Sequence, residues 1–472
     1  MEIRSNRASL VHVRCRYFVI AACFRLTEMT DPLPLYTTLP ETFTIGRYST
    51  RHLVRPDQLK AHLQLLAAFN HLKQRVVASE SLIAGLETDS EKRWVFFVNL
   101  AVERWYAEDT MRLSKLKPLT RFSDYFPTLL ANPDLLTTDT PQYERVSAWE
   151  RRTQTPYDPF ASTGTLTHKP INCPRCSRII LAPFLQPDGT GYAQSNFSIT
   201  CDCAHPITKE LLGLYKFVKN IVEPTAPDTY FAGTLHTPHN AYDTERGHTI
   251  QTRILGSNFL FRQTETSDPV ARILTNVQYE AARMRTVMSM RLKPRMFNKV
   301  MSAYTDDRVF SIDLVGAVLR QASFVKKMVD LRWTEPGYFT SEVDIVALQH
   351  CVARYHAFLS FMAGSPASFL VPTLDIDLAW HTHQLMASCY QSDCLSLVGR
   401  YVDHDDKVEE GHLSTSFDLT CRAWNDHYHV PYMHCGCPLP GDTIGQKLKH
   451  LLPSSHATSS KLLLLSQSDA CA

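Results

Sequence analysis

Between residues 59 and 76 the apolar side chains Leu59, Leu63, Leu66, Phe69, Leu72 and Val76 recur at steps of three and four. That spacing predicts an amphipathic helix. A second helix follows, with Val95, Val98, Val102 and Trp105 as its buried stripe and Glu103, Arg104 and Glu108 on its wet side. The same order returns later in the chain. Val315, Val318, Ala322, Val325 and Val329 mark one helix; Leu348, Val352, Tyr355, Leu359 and Met362 mark the next. Within the second helix of each pair, Ala101-Val102-Glu103-Arg104-Trp105 resembles Cys351-Val352-Ala353-Arg354-Tyr355, and each pair then runs on to a proline, Pro118 or Pro372. This suggests a duplicated helical unit, the plainer alternative being two unrelated helical hairpins.

Residues 137–250 differ in character. They are rich in Thr, Pro, Asp and Gly and hold closely spaced cysteines, which predicts loops and short strands. From 251 to 300 the helical pattern resumes, with Met284, Met288 and Met290 expected as core or interface filler. The expected fold class is mainly α, two similar helical units flanking a small loop-and-strand insert with a zinc site. The divisions are a flexible extension at 1–44, a first helical unit at 45–136, the cysteine insert at 137–250, a second helical unit at 251–440 and a disordered tail at 441–472, where no periodicity can bury a face.

Composition narrows the function classes. The chain has 472 residues, 44% hydrophobic and 20% charged, enough for two or three domains with real cores. Lys plus Arg (49) nearly balances Asp plus Glu (47), so charge gives no reason to expect nucleic acid or an anionic membrane as main partner. Thirteen cysteines, several paired at CxxC or CxC spacing, read as ligands rather than as a disulfide framework. A reducing compartment is expected, cytoplasm first and nucleus second. The early apolar stretch from Tyr17 to Phe24, bracketed by Arg14, Arg16 and Arg25, is far below the roughly 20 residues that span a bilayer. It also lacks a clear small-residue cleavage site. Met29 is an alternative start, which would leave residues 1–28 as an upstream extension.

Three constellations carry chemistry. The strongest is Cys173-Pro-Arg-Cys176, then 24 residues, then Cys201-Asp-Cys203 and His205. Two close cysteine pairs joined by a loop suit a tetrahedral zinc ion, with His205 as an alternative ligand to Cys201 or Cys203. Four protein ligands leave no open position for water, so the expected zinc is structural. The plainer alternative is four reduced, buried cysteines.

The second is VPTLDIDLAWHTHQL at 371–385, where Pro372 and then Asp375 predict a helix N-terminus. On that helix Asp377 and His381 share a face, while His381 and His383 fall on different sides. With His404 and Asp405 they are candidates for a second, oxygen- and nitrogen-bound divalent metal, or catalysis. The alternative is a buried hydrogen-bond network. A third group, Cys421, His427, His429, His434, Cys435 and Cys437, has ligand types at irregular spacing.

The LVPTLDIDLAWHTHQL run, Tyr390, the HDD at 404–406, the stretch from Val318 to Met328 and the CPRC at 173–176 together resemble the glycine-rich domain-containing protein-like family of fungi and plants. The resemblance covers roughly residues 45–440 and implies no established reaction, only a broad link of plant members to stress responses and development. There are two departures. Where the family often carries a related Trp-His motif in its first half, PLTRFSDYFPTLLANP at 118–133 has Phe126 and Pro127. The glycine-rich tail is also missing, only 17 glycines being present and scattered.

The leading expectation is a non-enzymatic interaction or scaffold protein with a protein partner, favoured by the duplication, the balanced charge and the lack of a nucleophile elbow, phosphate loop or dinucleotide fingerprint. The alternative is a metal-dependent hydrolase in which Asp377, His381, His383, His404 and Asp405 hold an ion that activates water. Nucleic-acid binding through the cysteine insert ranks last, since Arg175, Arg178 and Lys209 make a weakly basic surround.

Overall fold

The computed structural model describes residues 39–79, 89–110, 167–222, 244–262, 266–308, 312–365, 368–404 and 410–433, with scattered positions between 143 and 165. The extension before residue 39, the 118–133 stretch and the tail from residue 434 lie outside the described residues. The architecture is mainly helical, with short antiparallel strand pairs. None of the described helices is long and apolar enough to cross a membrane. Two compact units are present. One is built from residues up to Lys60, Phe339–Gly399 and Lys407 onward; the other from Ala61–Tyr338 with Arg400–Asp406.

The elements in chain order begin with β1 (Thr44–Ile45), β2 (Tyr48–Ser49), α1 (Pro56–Ala78) and α2 (Ser90–Thr110). Two hairpins follow, β3 (His168–Asn172) with β4 (Ile179–Pro183), and β5 (Ser198–Thr200) with β6 (Pro206–Thr208). Then come α3 (Lys209–Val222), α4 (Thr244–Leu255), α5 (Pro269–Asn276), α6 (Ala281–Ser289), α7 (Pro294–Met301) and α8 (Leu314–Asp330). The chain continues through α9 (Glu342–Gly364), α10 (Leu374–Gln384), α11 (Ala387–Asp393), a π-helical turn at Cys394–Val398 and α12 (Glu410–Tyr428).

In the unit containing Ala61–Tyr338, Val76, Trp94, Phe97 and Val98 form a small core with Val315, Val318 and Leu319 of α8 against them. The first helix of the second expected copy thus shares a core with both helices of the first. Phe96 and Leu100, on another face of α2, pack with Ile171, Ala182, Phe184, Tyr192 and Ile207 of the hairpin region. Glu103 continues that second face.

The expectation that Glu103 lies on a wet side is therefore corrected: it is 5% exposed. Its carboxylate accepts from Lys169 Nζ at 2.7 Å and from Arg308 Nε at 2.5 Å, and Arg308 also pairs with Asp306 and donates to Asn99 Oδ1 at 3.1 Å. A carboxylate this deep persists because two cations meet it.

A second correction concerns the insert, where loops and short strands were expected as far as residue 250. The structure has α3, whose Leu211, Leu214, Phe217, Val218 and Ile221 are buried. They join Ile254, Ile273, Leu274, Met284, Val287 and Met288 in one core. Met284 and Met288 fill that core as expected, whereas Met290 is 70% exposed. Side-chain caps set some of the helix starts. Asp268 accepts from the N–H groups of Val270 and Ala271 with Pro269 in the first turn of α5, and Ser341 and Asp344 form a reciprocal capping box on α9.

In the unit containing Phe339–Gly399, α9 is the central helix. Leu348, Val352, Tyr355, Leu359 and Met362 are all buried, as are Cys351, Arg354, Phe358 and Phe361 on other faces. It packs against α10 and the π turn, and Trp424 of α12 sits edge-on to Phe361 at 6.1 Å.

Candidate metal centre

Each hairpin turns through a cysteine pair. After β3 the chain runs Cys173-Pro174-Arg175-Cys176-Ser177; the Ser177 N–H donates back to the Cys173 carbonyl at 2.9 Å, and the Cys173 N–H to that of Arg178 at 2.8 Å. After β5 it runs Cys201-Asp202-Cys203-Ala204. There the Ala204 N–H donates to the Cys201 carbonyl at 2.8 Å, and the Cys201 N–H to that of His205 at 3.0 Å. The second turn is the first shortened by one residue, which explains how a CxC can stand opposite a CxxC. In both, the residue after the second cysteine takes a left-handed conformation, Ser177 at φ 59° and Ala204 at φ 60°.

These turns bring four free thiols together. Cys173 Sγ lies 3.8 Å from Cys203 Sγ, Cys176 Sγ lies 3.5 Å from Cys201 Sγ, and all four sulfurs fall within 4.8 Å of one another. Four sulfurs at about 2.3 Å from one tetrahedral ion would be about 3.8 Å apart. Thiols so crowded do not ionise independently. Burial pushes the Cys173 thiol up, while the backbone N–H of Arg178 holds Cys176 down at about 7. The N–H of Cys203 favours the thiolate at Cys201, but burial and the three neighbouring sulfurs outweigh it and push that thiol up to about 12. A cation at the centre would favour all four thiolates at once, releasing protons as it binds.

His205, the alternative ligand, is not in the sulfur group. Its ring stands edge-on to Tyr279 at 4.8 Å, and burial, then the charge of Arg175, lowers its imidazole below the ordinary range.

The DIDLAWHTH motif forms α10, with Thr373 at the N-cap position. The helix N-terminus falls where expected, and Asp375 stands in its first turn without capping it. Its carboxylate instead takes Arg354 Nε at 2.5 Å, and the same guanidinium reaches Thr373 Oγ1 at 2.9 Å and the Tyr432 carbonyl at 2.6 Å. Trp380 Nε1 donates to the Tyr390 hydroxyl at 2.8 Å. His383 is 1% exposed; its Nδ1 meets the Tyr355 hydroxyl at 2.9 Å and its Nε2 meets Asp393 Oδ2 at 3.1 Å.

Of the five candidates for a second metal, Asp377 and His381 come together, Oδ1 to Nε2 at 3.3 Å and partly exposed. His383 points to the other side, and Asp405 lies outside the described residues, while His404 is described in the Arg400–Asp406 segment. In the third group His434, Cys435 and Cys437 also lie outside the described residues. Cys421 is buried in α12, the His427 ring lies tilted against Phe361 at 5.6 Å, and with His429 they form no group of converging ligand atoms among the described residues.

Sequence reasoning missed Arg354 as the organiser of the motif. The signal was present, since a lone arginine within the apolar repeat of α9 needs a buried acceptor.

Comparison with known proteins places this region. The chain is 35% identical over 148 residues to glycine-rich domain-containing protein 2 of Arabidopsis thaliana, covering 29% of this chain and 17% of that protein. It is 34% identical over 139 residues to glycine-rich domain-containing protein 1 of the same plant, covering 28% and 16%. The match thus spans less than a fifth of either relative's length. No solved structure matches the chain. Residues 263–393, which contain Arg354 and the whole of α10, match the family described as glycine-rich domain-containing protein-like.

Proposed function

We propose that this chain is a non-enzymatic interaction or scaffold protein whose insert is held by one structural zinc ion on Cys173, Cys176, Cys201 and Cys203. The observation that supports the zinc is the convergence of four sulfurs from two turns at the separations a tetrahedral ion sets. With every position taken by a cysteine, the ion has no site for a reacting water, so its work is to join the two hairpins. The scaffold reading draws support from the glycine-rich domain-containing protein-like region, where Asp375, Trp380 and His383 are engaged by Arg354, Tyr390, Tyr355 and Asp393. Side chains bonded to one another within a core hold helices together. A hydrolase reading keeps Asp377 and His381 as neighbours but loses His383 to the opposite face.

Elemental analysis of the purified chain should give one zinc per molecule, falling close to zero in Cys173→Ser and in Cys201→Ser and staying at one in Asp377→Asn and His381→Ala. Unchanged zinc in the cysteine variants would remove the assignment. A second equivalent lost only with Asp377 or His381 would favour the hydrolase.

A further inference from the structure

The hairpin that carries Cys173 and Cys176 has an open edge. In an antiparallel pair, residues that exchange ladder hydrogen bonds alternate with residues whose N–H and C=O point outward. The Cys173 N–H bonds to the Arg178 carbonyl at one end of the β3–β4 ladder, and the Phe184 N–H to the Thr167 carbonyl at 2.9 Å at the other. With Ile171 opposite Ile180 and Lys169 opposite Ala182, those two pairs hold the ladder between them. Ile179 and Leu181 therefore direct their N–H and C=O groups away from β3. Their side chains are also outside, 71% and 64% exposed, while Ala182 is fully buried.

Two other outward-facing positions of the ribbon are closed to strand addition. On β3 the outward-facing Pro170 has no N–H to offer, and on β4 the Pro183 carbonyl is taken by the Tyr192 N–H at 2.8 Å. Proline and local covering are ordinary devices against strand addition. Among the described residues nothing covers Ile179 to Leu181, which present two donors, two acceptors and two apolar side chains. Beside the Ile179 end stand Arg175 and Arg178, both exposed. Arg178 pairs with Asp202 at 3.4 Å, but those side chains are 65% and 84% exposed, so the pair is weak and the local charge stays positive.

We propose that the Ile179–Leu181 edge receives an extended segment of a partner protein as a third strand, apolar at alternate positions and acidic at the end lying against Arg175 and Arg178. This deepens the interaction reading above and rests on it. Main-chain bonds to Ile179 and Leu181 hold the strand, their side chains select apolar neighbours, and the two arginines select acidic residues and fix the direction.

The probe is a fluorescein-labelled peptide, Glu-Glu-Val-Thr-Val-Thr-Val-Gly, titrated into the full chain with zinc measured in the same sample. Leu181→Lys and the double variant Arg175→Ala, Arg178→Ala should each weaken binding about tenfold. N-methylation of alternate peptide amides should abolish binding on one edge of the peptide and spare it on the other. Amide exchange at Ile179 and Leu181 should slow on binding, while Ile180 and Ala182 are protected beforehand. Failure to bind at millimolar peptide, indifference to N-methylation on both edges, or equal binding of a lysine-for-glutamate peptide would overturn the proposal. A concentration-dependent dimer abolished by Leu181→Lys would also overturn it, by naming a second copy as the occupant. Normal zinc without peptide binding removes the third strand alone, whereas absent zinc removes the stapled-insert reading first.

Discussion

Ser177 and Ala204 are exposed residues of no evident side-chain function, yet each adopts a conformation that glycine takes freely and other L residues resist at roughly 1 kcal/mol. They do so because each turn must point two sulfurs inward within a few residues. Ser177→Gly and Ala204→Gly should relieve that strain, and chelator competition should show the proposed zinc held up to about fivefold more tightly in each. Weaker retention in both glycine variants would mean that the turns are not strained by metal geometry. At this scale the convergence of the four cysteines was legible from spacing alone, because each short turn sets it locally. The left-handed residues were not, since serine and alanine do not advertise that conformation as glycine does. Glu103 was misread for a different reason. A single helical stripe assigns every other position to water, whereas α2 buries Phe96, Leu100 and Glu103 on a face separate from that of Trp94, Phe97 and Val98.

Among elements, α1, α8 and α9 form where the apolar repeats place them, because an amphipathic helix writes its buried face at steps of three and four. α2 also forms there, but buries Trp94, Phe96, Phe97 and Leu100 beyond the expected stripe, whose Trp105 side chain lies outside the described residues. α3 was missed although Leu211, Leu214, Phe217, Val218 and Ile221 carry the same period. The cysteine, proline and threonine content around it suggested irregular structure for the whole insert. α10 shows what periodicity leaves out. Its two first-turn carboxylates look alike in sequence, but Asp375 faces Arg354 inside the core and Asp377 faces His381 near solvent. Asp375→Asn should lower stability by about 3 kcal/mol, because a buried arginine loses its counter-charge. Asp377→Asn should cost under about 1 kcal/mol. Urea unfolding of the two variants tests the order, and equal losses would mean that α10 is not anchored through Arg354.

At the scale of the whole molecule, the compact units do not follow chain order. Residues 339–399 gather with residues up to Lys60, and 61–338 gather together, a result of contacts between distant segments that no local pattern encodes. A pH dependence follows from what the larger cores enclose. His356 is 1% exposed and donates from Nδ1 to the Glu41 carbonyl at 2.8 Å. Burial lowers its imidazole from the ordinary 6.5 to about 4, against the smaller opposing effect of that hydrogen bond and aided by nearby His383 and His52. Between those values the unfolded chain binds a proton that the folded chain refuses, so stability is lost as the pH falls from 6.5 toward 4. The loss should be on the order of 3 kcal/mol. Asp375 and Asp306 behave in the opposite sense of charge but the same direction of pH. Burial alone would raise both carboxyls, yet Arg354 and Arg308 respectively hold them below 3.8, so their contribution persists above that value and is lost only as the pH falls further. Acid unfolding should accordingly proceed in two windows, the first belonging to His356. Urea titrations at pH 7, 5.5 and 4.5 should show a stability slope in the native chain that His356→Phe flattens, whatever its level at pH 7. An unchanged slope in that variant would assign the first window to another group.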